Sequence, residues 1–297
     1  MATRFEIVLC GEDESRLRAA GEEALGEIER LDAQLSIYRP ESEVSAINAR
    51  AATQSVRVEP RLFRLLETAA QMHEKTDGAF DITIAPLMRC WGFVDGPGSE
   101  PAPDELRAAR ELVGMSHVLL DEASFTVGFD REGVMIDLGA IGKGYAVQRA
   151  AGILRELGIA SALIHGGTSS TYAIGSPPDG PDWQVAMREP GQVQKTLAVV
   201  GLRDMSLSVS AVHGKSFHAG GVEYGHVIDP RTGLPSQKAL LAAVVCAETA
   251  ESDALSTALL VLGDEWLPRV IDVGKGMKGV LAIAGHEQPK TITVGFR

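Results

Sequence analysis

The stretch that most constrains this chain runs from Ile136 to Ala146 and reads I-D-L-G-A-I-G-K-G-Y-A. The apolar run Val134–Ile136 predicts the end of a strand, and the apolar spacing beyond Lys143 predicts a helix that ends at Gly158. Three glycines in the intervening turn allow a ligand to approach the backbone closely. Because a carboxylate (Asp137) and an ammonium group (Lys143) flank the turn, it suits an anion such as a pyrophosphate at a helix start.

This turn matches neither of two common phosphate-binding motifs. It contains neither G-x-G-x-x-G nor G-x-x-x-x-G-K-[ST]. A glycine-rich turn between a strand and a helix is also common as a purely structural connection. The turn alone therefore leaves both interpretations open, and its neighbours have to decide between them.

Charge and cysteine content restrict the partners and the compartment. The net charge of −12 over 297 residues argues against nucleic acid or an anionic membrane as a partner, and it requires local positive charge or a metal wherever a phosphate binds. The three cysteines are far apart and form no C-x-x-C pair, as is typical of reduced thiols. The first residues resemble neither a signal peptide nor a lipid-anchor site. We therefore expect a cytoplasmic protein without a membrane anchor.

The order of predicted elements indicates the fold class. Helical spacing predicts helices over about residues 13–35 and from Pro60. A short helix is predicted over about 104–113, and a buried helix over 252–262, which is apolar on most sides. Most predicted strands lie in the second half of the chain. Helices and strands mix without regular alternation, which predicts an α+β fold with mixed, mostly antiparallel sheets and packed helices. The glycine- and proline-rich loop 94–103 is flanked by similar segments, so we expect a single domain over residues 1–297. Two polar or irregular stretches, 36–48 and 77–93, are expected as loops, and a strand is expected near 133–136.

Asp253 and Thr257 stand four residues apart and share one face of the last predicted helix. A carboxylate and a hydroxyl are both oxygen ligands of the kind that suits Mg²⁺. The alternative is that Thr257 bonds back to its own helix and Asp253 caps the first turn.

His226 lies in the segment G-H-V-I-D-P-R-T-G-L-P, which is rich in turn residues. Asp229 is close in sequence and could orient or charge the imidazole, which makes His226 a candidate general base. A structural role in the turn is the alternative. Together with His213 and His218 it does not have the spacing of a zinc site.

Three aromatic residues occur in or next to the irregular stretches: Tyr38, Phe80 and Trp91. Such rings either stack on a planar ligand or fold back onto the core, and the sequence leaves both open.

Taken together, these stretches resemble the ApbE family, the FAD:protein FMN transferases. Five segments are similar to family motifs and occur in the same order. They are S-x-Y-R-P-x-S-E-V-x-x-I-N, D-G-A-F-D-I-T-I-A-P-L followed by W-G-F, D-L-G-A-I-G-K-G-Y-A-V, H-V-I-D-P-R-T-G-L-P and D-A-L-S-T-A-L.

The resemblance implies an ApbE-like α+β fold, FAD as donor substrate and Mg²⁺ as cofactor. It implies transfer of FMN to a Thr or Ser hydroxyl of an acceptor protein, with release of AMP. The residues that would contact FAD are Met1, Tyr38, Ala79, Phe80, Asp81, Asp137, Lys143 and Val227. The metal ligands would be the Ala140 carbonyl, Asp253 and Thr257, and the catalytic residues His226, Asp137 and Lys143. An FAD pyrophosphatase and a non-catalytic FAD-binding protein are the alternatives.

Two segments depart from the family pattern. Thr168 follows Gly166-Gly167 where the family usually has an acidic or amide residue, and Ser208–Phe217 reads S-V-S-A-V-H-G-K-S-F in place of a serine-glycine-x-tyrosine pattern. Both departures lie on the acceptor side of the resemblance. We therefore expect FAD and Mg²⁺ to bind normally but the acceptor preference to be altered.

Overall fold

The computed structural model describes residues 3–94, 96–212, 216–274, 276–285 and 288–296. The α-helices are α1 (Glu14–Leu35), α2 (Glu43–Arg50), α3 (Pro60–Lys75), α4 (Ala85–Cys90), α5 (Pro103–Arg110), α6 (Gly142–Glu156), α7 (Thr249–Leu262) and α8 (Val270–Val273). The strands are β1 (Phe5–Leu9), β2 (Val56–Arg57), β3 (Val118–Asp121), β4 (Thr126–Phe129), β5 (Ala162–Gly166), β6 (Ser170–Ile174), β7 (Trp183–Glu189), β8 (Gln192–Leu202), β9 (Ser206–Ala211), β10 (Ser216–Ala219), β11 (Val222–Gly225), β12 (Leu241–Cys246), β13 (Lys278–Ile283) and β14 (Lys290–Val294).

Contacts divide the chain into two compact units. The larger unit consists of Met1–Asp32, Ile141–Ala211 and Ala239–Arg297, and the smaller unit of Ala33–Ala140 and Val212–Lys238. The expected single domain over residues 1–297 stays a prediction. No helix in the described ranges is long and apolar enough to span a membrane.

The larger unit is built on a seven-stranded sheet in the order β1-β5-β6-β9-β12-β13-β14, in which every neighbouring pair is antiparallel. The helices α6 and α7 pack against one face. The β7–β8 hairpin covers the other face, where Val200 and Leu202 pack in one core cluster with Leu207 of β9 and Val245 of β12. Every residue of β12 is buried, because both faces of this central strand are covered.

The smaller unit contains α2 to α5, the three-stranded sheet β2-β4-β3 and the hairpin β10–β11. An aromatic cluster joins the hairpin to the helical part of this unit. Its members are Trp91, Phe93, Phe217 and Tyr224, with ring centroids 5.4 to 6.2 Å apart in the four contacting pairs.

The α+β class is confirmed, as are the helices predicted over 13–35, from Pro60, over 104–113 and over 252–262. Gly158 ends α6 with a φ of +74°, as expected for a left-handed residue after a helix. The two predicted loops are wrong in part. Helix α2 begins inside 36–48 after Ser42, whose side chain accepts a hydrogen bond from the N–H of Ser45, and α4 lies inside 77–93.

The strand predicted near 133–136 is absent, because residues 134–138 lie outside any strand. The side-chain amide of Asn48 takes the place of a strand partner. Its Nδ2 donates to the Ile136 carbonyl at 2.9 Å, and its Oδ1 accepts from the Ile136 N–H at 2.8 Å. Both backbone groups of Ile136 are thus satisfied without a ladder.

The sequence also predicts a strand over 225–228, but the chain instead forms the hairpin β10–β11, which ends at Gly225. Gly220 and Gly221 form its turn with φ values of +57° and +81°. Two consecutive positive φ values are the geometry of a type I′ turn, for which Gly-Gly is a favoured pair.

Candidate active site

The start of α6 follows the glycine-rich turn, and a residue of α7 caps it. Ile141 precedes the helix and offers no capping side chain. Asp253 Oδ2 accepts a hydrogen bond from the Gly144 N–H at 2.9 Å. A carboxylate at this position satisfies an N–H group that has no partner within its own helix and interacts favourably with the helix dipole.

Gly144 allows this contact because α6 and α7 approach each other closely here. A Cβ at Gly144 would lie 2.2 Å from the Thr249 carbonyl oxygen and 2.7 Å from Asp253 Cβ. Any other residue would push the two helices apart. The glycine predicted to admit a ligand thus admits a neighbouring helix.

Asp253 is 2% exposed, and no lysine, arginine or histidine in the described part of the chain forms an ion pair with it. A buried carboxylate normally has a cationic partner or binds a metal, because desolvation disfavours an isolated charge. Asp253 is therefore a suitable donor for a divalent cation. It does not cap its own helix, since it caps α6.

Thr257 lies one turn beyond Asp253 and is half-buried. Its Oγ1 lies 3.3 Å from the Asp253 carbonyl oxygen and 3.1 Å from Ser210 Oγ. The alternative in which Thr257 bonds back to its own helix therefore holds. It does not exclude a metal, because a hydroxyl that donates its proton keeps lone pairs for a cation.

Two of the three predicted metal ligands, Asp253 and Thr257, thus lie one turn apart on α7, and their joint binding of a metal stays a prediction. Ala140 is the last residue of a segment of the smaller unit, and its carbonyl as the third ligand stays a prediction. Nowhere in the described ranges do three His, Cys, Asp or Glu side chains gather as a metal site. A set of one carboxylate, one hydroxyl and one carbonyl does not require such a cluster. Lys143, the second residue of α6, is half-buried, and its contact with FAD stays a prediction.

In the smaller unit, Asp81 is held by internal hydrogen bonds. Its Oδ1 accepts from the Thr83 N–H at 2.7 Å and from Thr83 Oγ1 at 2.6 Å. Its Oδ2 lies 3.1 Å from His73 Nδ1, which also lies 3.1 Å from the Phe80 carbonyl oxygen. The side chain of Asp81 is only 2% exposed. This carboxylate fixes the D-G-A-F-D-I-T segment, and its contact with FAD stays a prediction.

His73 was not singled out from the sequence. Its hydrogen bond with Asp81 raises its pKa above the ordinary value, against the opposite effect of burial. Its place in the last turn of α3, shortly before the D-G-A-F-D segment, is the only local signal.

Asp137 is anchored to the same part of the smaller unit. Its N–H donates to the Ile82 carbonyl at 2.7 Å, and its Oδ1 accepts from the Gly139 N–H at 2.8 Å. Segment 79–83 and Asp137 are therefore neighbours, as a common ligand site would need. Ala79 and Phe80 are buried, and their predicted contacts with FAD remain untested, as does the catalytic role of Asp137.

His226 and Val227 are half-buried at the end of the β10–β11 hairpin. The Val227 carbonyl accepts from the Ser236 N–H at 2.8 Å, which closes the turn that follows. The Asp229 carboxylate, expected to orient His226, is held by Arg231 through Nε at 2.9 Å and Nη2 at 2.8 Å. The catalytic role of His226 and the FAD contact of Val227 stay predictions.

The three aromatic residues differ in exposure. Phe80 and Trp91 are 1% and 2% exposed and belong to the core, so the core alternative holds for both side chains. Tyr38 is 66% exposed, as a stacking residue would need to be before a ligand binds. Thr168 is exposed in the turn between β5 and β6. Met1 and His213 lie outside the described residues.

The structure is an α+β protein in which the buried carboxylate of Asp253 caps the start of α6 and forms no ion pair among the described residues. In the smaller unit, hydrogen bonds hold the segment 79–83 next to Asp137. The chain belongs to the ApbE family, whose family model matches residues 1–281.

Curated and solved relatives agree with this membership. An FAD:protein FMN transferase of Treponema pallidum is 32% identical over 266 residues, covering 84% of this chain and 73% of the relative. The FAD:protein FMN transferase of Escherichia coli K12 is 29% identical, covering 91% and 79%. The crystal structure of the ApbE protein of Thermotoga maritima superposes with a TM-score of 0.85 at 28% identity, covering 94% of this chain and 90% of that chain. The structure of the flavin transferase ApbE of Vibrio cholerae superposes with a TM-score of 0.83 at 26% identity, covering 99% of this chain and 94% of that chain.

Proposed function

We propose that this protein transfers FMN from FAD to a threonine or serine hydroxyl of an acceptor protein in a Mg²⁺-dependent reaction that releases AMP. Membership of the ApbE family and similarity to flavin transferases make the chain an enzyme of this class. The observation that carries the metal-dependent part is the buried carboxylate of Asp253, which has no cationic partner among the described residues.

Asp253 and Thr257 of the larger unit would hold the cation, and the carbonyl of Ala140, a residue of the smaller unit, would be a further ligand. When bound, Mg²⁺ supplies neutralisation of charge on the diphosphate of FAD. Lys143, at the start of α6, would add a positive charge for the same diphosphate, and the N–H groups of this helix start would favour an anion.

In the smaller unit, Tyr38 would stack on a planar ring of FAD, and the segment 79–81, Asp137 and Val227 would line the donor. Met1 would add a contact from the start of the chain. His226 would accept the proton of the acceptor hydroxyl as general base, an effect worth roughly 10²–10⁴-fold in rate.

The reaction is an in-line displacement at phosphorus. The acceptor oxygen forms a bond to the phosphorus of the FMN half, and the bond from that phosphorus to the bridging oxygen breaks. The electron pair of that bond leaves with AMP, and the acceptor proton passes to His226. Water in place of the acceptor would give FMN and AMP, which is the pyrophosphatase alternative.

We also propose that the protein works in the cytoplasm, with FAD and an acceptor protein as its partners and without nucleic acid. All three cysteines are free thiols, which agrees with a reducing compartment.

The test is to incubate the protein with FAD and Mg²⁺, with and without an acceptor protein and its Thr→Ala counterpart, and to follow AMP and acceptor mass. Asp253→Asn keeps an oxygen that can accept from Gly144 but removes the charge. We expect it to fold normally and to lose turnover by about 100-fold or more. Asp264→Asn, which changes an exposed carboxylate just beyond α7, is the matched control and should behave as wild type.

AMP release without acceptor labelling would identify the pyrophosphatase. FAD binding without AMP release in any mixture would identify a non-catalytic protein. Normal turnover of Asp253→Asn would show that this carboxylate only caps α6.

A further inference from the structure

A hydroxyl ladder connects β9 to α7 within the larger unit. Its members are Ser206, Ser208 and Ser210 of β9 and Ser252 and Ser256 of α7. Ser206 Oγ and Ser208 Oγ lie 3.0 and 2.7 Å from Ser252 Oγ, and Ser210 Oγ lies 2.8 Å from Ser256 Oγ. Alternate strand residues share one face of a sheet, and residues four apart share one face of a helix, so the two rows match in register.

Ser210 occupies the end of this ladder next to the proposed metal ligands. Its Oγ lies 3.1 Å from Thr257 Oγ1 as well as 2.8 Å from Ser256 Oγ. Both of these helix hydroxyls donate to the carbonyl of Asp253, at 3.3 and 2.9 Å. Because Ser256 and Thr257 both donate their protons to that carbonyl, they can act only as acceptors toward Ser210, whose hydroxyl is the donor in this group.

Threonine in a helix has two accessible χ1 rotamers, because its hydroxyl can bond to the preceding turn. A fixed hydroxyl beside Oγ1 selects one of them. With its proton on the Asp253 carbonyl and Ser210 on a second side, Oγ1 keeps its remaining lone pair for a cation.

We propose that Ser210 is a positioning residue that holds Thr257 Oγ1 in the orientation needed for Mg²⁺. This inference rests on the proposed function, since the metal at Thr257 is part of it. Removal of a partner of a metal ligand typically weakens metal affinity by roughly 10–100-fold.

The test titrates the full chain with Mg²⁺ by calorimetry, once without FAD and once at saturating FAD, and records the thermal midpoint of each variant. We expect Ser210→Ala to weaken Mg²⁺ binding by roughly 10–100-fold with a small change in midpoint. Ser210→Thr keeps the hydroxyl and should restore the affinity.

Ser206→Ala is the matched control, because it removes the same atom from the same ladder. Ser206 Oγ contacts Ser252 and donates to the Cys246 carbonyl at 2.8 Å, and neither partner is a proposed metal ligand. We expect a lower thermal midpoint but the Mg²⁺ affinity of the wild type.

The outcomes separate this inference from the proposed function. Unchanged Mg²⁺ affinity in Ser210→Ala overturns the role of Ser210 and leaves the metal site standing. Equal weakening in Ser206→Ala and Ser210→Ala shows general loosening of α7 and also overturns it. A wild type that binds no Mg²⁺ in either arm overturns the metal site and this inference together.

Discussion

The surroundings of α7 and the aromatic cluster hold predicted functional residues by opposite means. Small residues surround α7, where Gly144 permits close approach and the hydroxyl ladder supplies directional hydrogen bonds. The aromatic cluster, which precedes His226 in the chain, relies on contacts between large rings, of which Trp91 and Phe93 are buried and Phe217 and Tyr224 half-buried. The packing around α7 should be destabilised by a larger side chain, and the aromatic cluster by the truncation of a ring.

The largest effect should come from truncation of the aromatic cluster. Trp91→Ala removes a ring that is 2% exposed and the hydrogen bond from its Nε1 to the Gly233 carbonyl at 2.8 Å. We expect a loss of about 3–5 kcal/mol in the free energy of unfolding, measured by urea denaturation. Trp91→Phe keeps most of the packing and should lose less. Equal losses in the two variants would show that the hydrogen bond dominates.

The second-largest loss of stability should come from a larger side chain at Gly144, next to α7. Gly144→Ala places a Cβ against the backbone of α7 and should cost about 1–3 kcal/mol in the free energy of unfolding. Gly152 lies in the same helix with no heavy atom within 4 Å of its added Cβ. Gly152→Ala is therefore the matched control, and we expect it to stabilise by about 0.5–1 kcal/mol. Similar urea midpoints for both variants would contradict the close approach of the helices.

Removal of the Ser252 hydroxyl tests the hydrogen bonds around α7 separately from the packing, because it changes the volume of the side chain very little. Ser252→Ala leaves the hydroxyls of Ser206 and Ser208 without their partner on α7 and should cost about 1–2 kcal/mol. Ser15→Ala, at an exposed position of α1, should be nearly neutral. Thermal unfolding followed by circular dichroism distinguishes the two. An unchanged thermal midpoint in Ser252→Ala would mean that the hydrogen bonds of the hydroxyl ladder contribute little to stability.

The smallest effect on stability should come from the His73–Asp81 pair, a polar contact in the smaller unit. Asp81 raises the pKa of His73 above the ordinary 6.5, and the nearby Glu74 acts in the same direction. The pair's contribution to stability is therefore fully present below about pH 6.5 and is lost as the pH rises through the pKa of the folded state. We expect roughly 1 kcal/mol or less, because the imidazole is partly exposed.

The control for this pair is His73→Asn, which can still donate a hydrogen bond but does not titrate. Thermal midpoints between pH 6 and pH 8.5 should fall in the wild type relative to this variant. Parallel curves for the two proteins would contradict the ion pair.

Local patterns predicted what depends on local spacing. Helix α3 was found because its apolar residues repeat at three and four, and α7 because it is apolar on most sides. The four-residue spacing of Asp253 and Thr257 placed this pair on one helix face. The Gly220-Gly221 turn is also a local signal, and it was missed. Recognising it would have placed the β10–β11 hairpin.

Long-range polar contacts left no local signal. The amide of Asn48, which is distant in sequence from Ile136, bonds both backbone groups of Ile136 in place of a strand partner, and no strand forms there. Likewise, nothing near Asp253 indicates that its carboxylate caps a helix that starts at Gly142. The residue types were visible, but their partners were set by tertiary structure.

The division of the chain into interleaved segments has a consequence for synthesis on the ribosome. The sheet of the larger unit places β12 between β9 and β13, and β12 belongs to the segment Ala239–Arg297. Until this segment has emerged from the ribosome, β9 has an open edge, and Ser206 and Ser208 lack their partner on α7. Exposed strand edges of this kind are prone to aggregation. We therefore expect chaperones to bind the nascent chain most strongly when it has emerged as far as Lys238.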